Sequence, residues 1–242
     1  MSLVLEAEGM TAGYGPQAVI HDIDLKVGEG EVVALLGANG AGKTTTLLSL
    51  SGELPLKSGE VRFGGRPEKR PLHKRARDGM SYVTEERSVF RGLNVIDNLR
   101  CGSVDVSTAL DLFPELERCL HTRGGLLSGG EQQMLTLARA LGRRPKVLLA
   151  DELSLGLAPL VVQRLLGAVR GAADRDGCGV LLVEQHVRQA LKFADRVYVM
   201  LRGRIEMDMT SDVARRRLSE IENTYLAGRS AAAPAPAGAG SE

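Results

Sequence analysis

The sequence predicts an α/β protein: a buried parallel sheet carrying a phosphate-binding loop, an antiparallel β-layer in front of it, and a helical insertion. Three observations predict it. Gly37-Ala38-Asn39-Gly40-Ala41-Gly42-Lys43-Thr44 is a full match to G-x-x-x-x-G-K-[ST], set between a strand-like run at 31–36 (EVVALL) and apolar residues on helical spacing at 45–51. Two wholly aliphatic runs, 147–150 (VLLA) and 180–183 (VLLV), have the pattern of parallel strands buried on both faces, and each ends in polar residues. Residues 93–100 and 107–120 look helical within an otherwise α/β chain, the second interrupted by Pro114.

From the N-terminus, residues 3–9 alternate loosely and 18–27 (AVIHDIDLKV) more cleanly, which predicts two strands of the antiparallel layer. The turn between them, Gly13-Tyr14-Gly15-Pro16, holds an aromatic in a chain with only 3% of them. Tyr14 offers a face to adenine; the plainer alternative is a Tyr that covers a turn. In the loop that follows, glycines let backbone N–H groups turn inward around a polyphosphate, where a Cβ would fill the phosphate's space. The helix opening at Lys43 adds its positive dipole end. Lys43 is expected to reach the β- and γ-phosphates of ATP, and the Thr44 hydroxyl to ligate Mg²⁺.

Turn signals then bracket a short strand at 59–63 (GEVRF). The basic segment with Lys69, Arg70, Lys74, Arg75 and Arg77 lacks interleaved aromatics, so a solvated helix face is expected rather than a nucleic-acid patch. Residues 80–84 (MSYVT) predict a strand that delivers Glu85 and Glu86 to a loop, where a carboxylate either reaches a metal near bound phosphates or is simply solvated.

Leu127-Ser128-Gly129-Gly130-Glu131-Gln132-Gln133 precedes an apolar pattern of helical period, a second anion-binding helix start. Two such starts bind separate anions, or two copies pair head to tail with each ATP between one copy's loop and the other's Ser-Gly-Gly. The run at 147–150 ends in Asp151-Glu152, suited to hold Mg²⁺ and to deprotonate an attacking water respectively. A small-residue turn at 154–158 follows, and Pro159 starts a helix over 160–173. The run at 180–183 ends in Glu184-Gln185-His186 at the same sheet edge. A hairpin at 197–207, a charged amphipathic helix at 211–222 and a disordered tail at 229–242, which has no large apolar group, complete the chain.

Composition bounds the rest. The 242 residues are 43% hydrophobic and 25% charged, enough for a substantial core in one or two domains. With 31 basic and 30 acidic side chains the net charge is +1, so no global field favours nucleic acid or an anionic membrane. No apolar run approaches the ~18 residues of a spanning helix and no leader pattern begins the chain, so a cytoplasmic location is expected. Cys101, Cys119 and Cys178 show no C-x-x-C pairing, which suits reduced thiols rather than a zinc site.

With these residues assembled, the chain resembles the ATP-binding subunit of ABC transporters over 3–228, on GANGAGKTT, LSGGEQQ and VLLADE in that order. YVTEER, FPEL, LSGGEQQML, SLGLAP and LVEQ resemble the branched-chain amino acid importer branch, which also holds relatives for urea and similar amides. The resemblance implies a P-loop NTPase domain over 1–228 with its helical insertion at about 87–140. It implies an ATPase peripheral on the cytoplasmic face of the membrane, paired as a homodimer or heterodimer with a second ATPase subunit. Two transmembrane permeases and a periplasmic or extracellular solute-binding protein would complete the importer, with no nucleic acid, and ATP-dependent dimer closure would drive transport.

Carried onto this sequence, residues 37–45, Thr45 included, would be the Walker A loop, and Asp151 and Glu152 the Walker B end. Ser128, Gly129, Gly130 and Glu131 belong to the signature; Tyr14 matches the adenine-stacking aromatic. Glu85 matches the glutamine-loop position, where most such ATPases have Gln, and 154–158 the loop that crosses the dimer. Counting back from Ala194-Asp195-Arg196 puts Gln185 at the switch position with His186 one residue later, and both remain candidates. Thr84 and Leu153 replace prolines usual in that branch, and the insertion is short. The alternatives are a soluble ABC ATPase without permeases and a low-turnover nucleotide-binding regulatory module.

Overall fold

A computed structural model of the chain describes residues 2–230. The three aliphatic runs are neighbouring strands of a six-stranded sheet: β3 (Val32–Leu36), β7 (Val147–Asp151) and β8 (Gly179–Glu184). With β6 (Met80–Val83), β9 (Arg196–Leu201) and β10 (Arg204–Thr210) the order is β10-β9-β3-β8-β7-β6, parallel except for β10. Val32, Ala34, Leu36, Leu148, Ala150, Val180 and Leu182 enter one core, and Val33, Leu35, Val147, Leu149, Leu181 and Val183 the other. Both phases of the alternation are therefore aliphatic, because these strands have no solvent face.

The second sheet, β2-β1-β4-β5, is antiparallel: β1 (Leu3–Ala12), β2 (Ile20–Gly28), β4 (Leu56–Phe63) and β5 (Arg66–Pro67). Its Leu5, Met10, Ile23 and Leu25 share a core with α1 (Lys43–Ser51) and one face of the central sheet. β4 begins three residues before the expected 59–63. Lys57, Ser58 and Gly59 are exposed, so pairing with β1, not burial, makes that half a strand.

Helices α3 (Val95–Cys101), α4 (Val106–Leu112), α5 (Gly129–Leu141), α6 (Pro159–Asp176) and α7 (Val187–Phe193) cover the other face. The interruption expected at Pro114 divides 107–120 into two pieces: α4 ends at Leu112 and Pro114 opens a 3₁₀ turn (Pro114–Cys119). The helix expected at 211–222 is likewise α8 (Ser211–Arg216) followed by α9 (Leu218–Ser230). The first two residues of the expected tail close α9, and 231–242 lie outside the described residues.

The basic segment is not a simple solvated face. Arg75, on α2 (Leu72–Arg77), is buried and donates to the carbonyls of Leu50, Glu68 and Arg70, while Arg70 pairs with Glu68 and Asp78. Lys69, Lys74 and Arg77 are exposed as expected. No helix among the described residues is long and apolar enough to cross a membrane.

Candidate nucleotide site

Parallel strands end together at one edge, the edge at which open α/β sheets bind ligands. Leu36 pairs with Glu184, Asp151 with Val183, and Val83 with Ala150. The glycine loop, Asp151-Glu152, Glu184-Gln185 and Glu85 are thereby delivered side by side.

Gly40 and Gly42 adopt left-handed backbone, with φ of 81° and 108°. A Cβ would have open space at Gly40, but at Gly42 it would meet Ile20 Cγ2 at 2.8 Å, and at Gly37 the carbonyl oxygen of Met200 at 2.7 Å. Left-handed backbone therefore explains Gly40, close approach of a neighbouring strand explains Gly37, and both apply at Gly42. No side chain caps α1, whose N-cap is Gly42, so its first N–H groups face the loop as an anion cradle.

Lys43 is buried, and its Nζ donates to the carbonyls of Gly37 at 2.9 Å and Ala38 at 3.3 Å, 3.5 Å from Glu152 Oε1. Thr44 Oγ1 donates to Asp151 Oδ2 at 3.0 Å, whereas buried Asp151 Oδ1 has no partner among the described residues. Burial pushes the Asp151 carboxyl up to about 6, against the Thr44 hydrogen bond and with the charges of Glu152 and Glu85 adding to it. A buried carboxylate oxygen without a donor, beside a hydroxyl, suits a hard divalent cation, so Thr44 and Asp151 fit Mg²⁺.

Glu152 sits at φ 48°, uncommon for a residue with a Cβ. Its N–H donates to Val183 O at 3.0 Å and its Oε2 accepts from Gln185 Nε2 at 2.6 Å. Lys43, Thr44, Glu152 and Gln185, with Thr45, Asn39 and Glu85, wall a cavity of about 420 Å³.

Other expected residues lie elsewhere. His186 is exposed at the N-cap of α7, outside the cavity wall. Tyr14 is exposed in its turn, and Val19 rather than Tyr14 lines the cavity. Ser128, Gly129, Gly130 and Glu131 are also apart from it. The Ser128 hydroxyl, expected to be free for an anion, is engaged in a capping box at the start of α5. It accepts from Glu131 N–H at 3.3 Å and donates to Glu131 Oε2 at 2.7 Å, and Arg118 pairs with Glu131 Oε1 at 2.9 Å. Those donors hold the Glu131 carboxyl below the usual range, the Ser128 hydroxyl most of all.

The description of the ABC transporter family matches residues 20–154, more than half of the chain. The chain belongs to that family. BraG of Pseudomonas aeruginosa, a high-affinity branched-chain amino acid transport ATP-binding protein, is 40% identical over 235 residues, 93% of this chain and 100% of BraG. LptB of Escherichia coli K12, a lipopolysaccharide export system ATP-binding protein, is 36% identical over 213 residues, 83% and 88% of the two chains. A solved ATP-binding subunit of an ABC transporter has the same fold at a TM-score of 0.79 and 26% identity, covering 93% of this chain and 99% of its own.

This ABC cassette is thus an ATPase of a transporter, and the resemblance to the branched-chain amino acid branch holds in BraG. Sequence reasoning left three of its residues without a role at this edge: Val19 and Leu155, which line the cavity, and Glu184, buried beneath it. The signal for Glu184 was available. It has the strand phase of Leu182, in the core covered by α6 and α7, while Gln185 has that of Val183 on the α1 side, where the phosphate loop lies.

Proposed function

We propose that this cassette is the ATP-hydrolysing subunit of an importer for branched-chain amino acids or related amides, working as a homo- or heterodimer that closes on ATP. The observation that carries the reading is the 40% identity to BraG along the whole of BraG's length. The convergence of Lys43, Thr44, Glu152 and Gln185 on one cavity, with Asp151 hydrogen-bonded to Thr44 behind its wall, supports it.

In this reading the loop amides and Lys43 take the β- and γ-phosphates, and the phosphates compete with Glu152 for the Lys43 ammonium. Thr44 and Asp151 would hold Mg²⁺, with Glu85 on the wall of the same cavity as a further carboxylate for it, and the cation would supply charge neutralisation to the phosphates. Glu152 accepts the proton of the attacking water, its carboxylate aimed by Gln185, which is the switch residue; His186 has no part in the step. Tyr14 presents its exposed face to adenine.

The signature stands away from its own subunit's cavity, so it serves the nucleotide of a second cassette. Glu131 must release the Ser128 hydroxyl before that hydroxyl can bond a γ-phosphate. Two permeases and an external solute-binding protein complete the assembly on the cytoplasmic face of the membrane, with no nucleic acid involved.

Reconstitution tests the reading. The cassette is assembled in vesicles with candidate permeases of the branched-chain amino acid type, and uptake of labelled leucine, isoleucine, valine or urea is followed with ATP and binding protein supplied. ATP-dependent uptake, abolished in Glu152→Gln, is expected. Likeness to LptB favours a second reading, an export cassette, and hydrolysis with lipid extraction but no solute uptake would establish that instead.

A further inference from the structure

Glu184 is not on the cavity wall, yet it is as deeply buried as Asp151, each 1% exposed. Its Oε1 accepts the N–H of Ser154 at 3.2 Å and its Oε2 the Ser154 hydroxyl at 2.5 Å. It has no ion-pair partner among the described residues, so hydrogen bonds alone compensate its burial. An aliphatic side chain would continue the pattern of β8 without a charge to bury. It would also leave the Ser154 hydroxyl and N–H without an acceptor.

Three successive residues at the end of β8 therefore grip the stretch that follows β7. Val183 O takes the N–H of Glu152, Glu184 takes Ser154, and Gln185 takes the Glu152 carboxylate. Glu152 sits between these grips at φ 48°, a backbone conformation that persists only where its surroundings fix it from several sides. Loss of the middle grip frees one end of residues 152–154. The grip itself touches neither the phosphate loop nor the Thr44–Asp151 pair.

We infer that Glu184 is a positioning residue for ATP hydrolysis: by binding Ser154 it holds the turn that carries Glu152 in line with Gln185. The inference rests on the proposed role of Glu152 as base. Because the contact lies behind the carboxylate and not on the phosphates, its loss acts on turnover and spares nucleotide affinity. Glu184 and Ser154 also act as one unit, so removing both is no worse than removing either.

Steady-state phosphate release by the full chain, at varied ATP, tests it in Glu184→Ala, Ser154→Ala and the double variant, with Glu152→Gln as reference. Each single variant is expected to lower kcat roughly tenfold with KM within about twofold of wild type, and the double to match the worse single. Losses that multiply in the double variant, a raised KM at unchanged kcat, or full activity in both singles would overturn the inference. Should Glu184→Ala not fold, Ser154→Thr decides against Ser154→Ala: recovery of kcat with the restored hydroxyl supports the contact, and no recovery overturns it. Wild-type turnover in Glu152→Gln sinks the assignment of the base itself. An inactive Glu152→Gln beside fully active Glu184 and Ser154 variants sinks only the positioning role.

Discussion

Gln185 Nε2 lies 2.6 Å from Glu152 Oε2, so the polar tip of one central strand holds the carboxylate that ends its neighbour. Glu152→Gln is expected to lower kcat by about 100-fold or more, the scale of a general base, while ATP still binds and traps a dimer. Phosphate release and light scattering with ATP check the two halves. Gln185→Ala should lower kcat about tenfold without touching ATP affinity, and His186→Ala should leave kcat within about twofold.

Lys43 bridges the loop carbonyls and Glu152 from a buried position. Its replacement by Ala removes charge-assisted bonds to the phosphates, each of about 1.5–3 kcal/mol. Titration with a fluorescent ATP analogue is expected to show affinity weakened by about 10- to 100-fold. Unchanged affinity would place the phosphates elsewhere.

Burial pushes the Glu184 carboxyl from 4.5 up to about 7, against the Ser154 hydrogen bonds. The folded state then holds a proton there that the unfolded state has lost between those two values. Stability from the protonated form is complete below pH 4.5 and declines as pH rises to about 7, by about 3 kcal/mol in all. Glu184→Gln has no such proton to lose. Urea unfolding at pH 5 and pH 8 should therefore show wild type falling relative to the variant as pH rises, and parallel behaviour would refute the shift.

Arg75 donates to three carbonyls from a buried position. Arg75→Ala leaves those acceptors unpaired and is expected to destabilise the fold by about 2 kcal/mol or more, read by urea unfolding. Lys74→Ala, on the exposed side of the same helix, should change stability by less than about 0.5 kcal/mol.

The central strands were legible because burial on both faces writes itself as an unbroken aliphatic run, as in 180–183. The first half of β4 was not, since an exposed strand held by pairing has no apolar signature. Arg75 was read with its exposed neighbours because a short helix rich in cations does not say which one turns inward. Counting back from Ala194-Asp195-Arg196 singled out Gln185 beside His186, and the structure hydrogen-bonds the Gln185 amide to the Glu152 carboxylate. The S-x-x-E at 128–131 also spells a capping box, and that is the use of it the structure shows.

That capping box bears on how two cassettes would separate. Glu131 Oε2 accepts both the hydroxyl and the N–H of Ser128, the groups that the proposed dimer would turn toward a terminal phosphate. In the proposed cycle, parting is then an exchange rather than a rupture. Once the bond is cut and the charge divided between ADP and inorganic phosphate, a tethered anion is at hand to reclaim its donors. Neither subunit is left with a stranded hydroxyl, and the resting form is restored from within one helix turn.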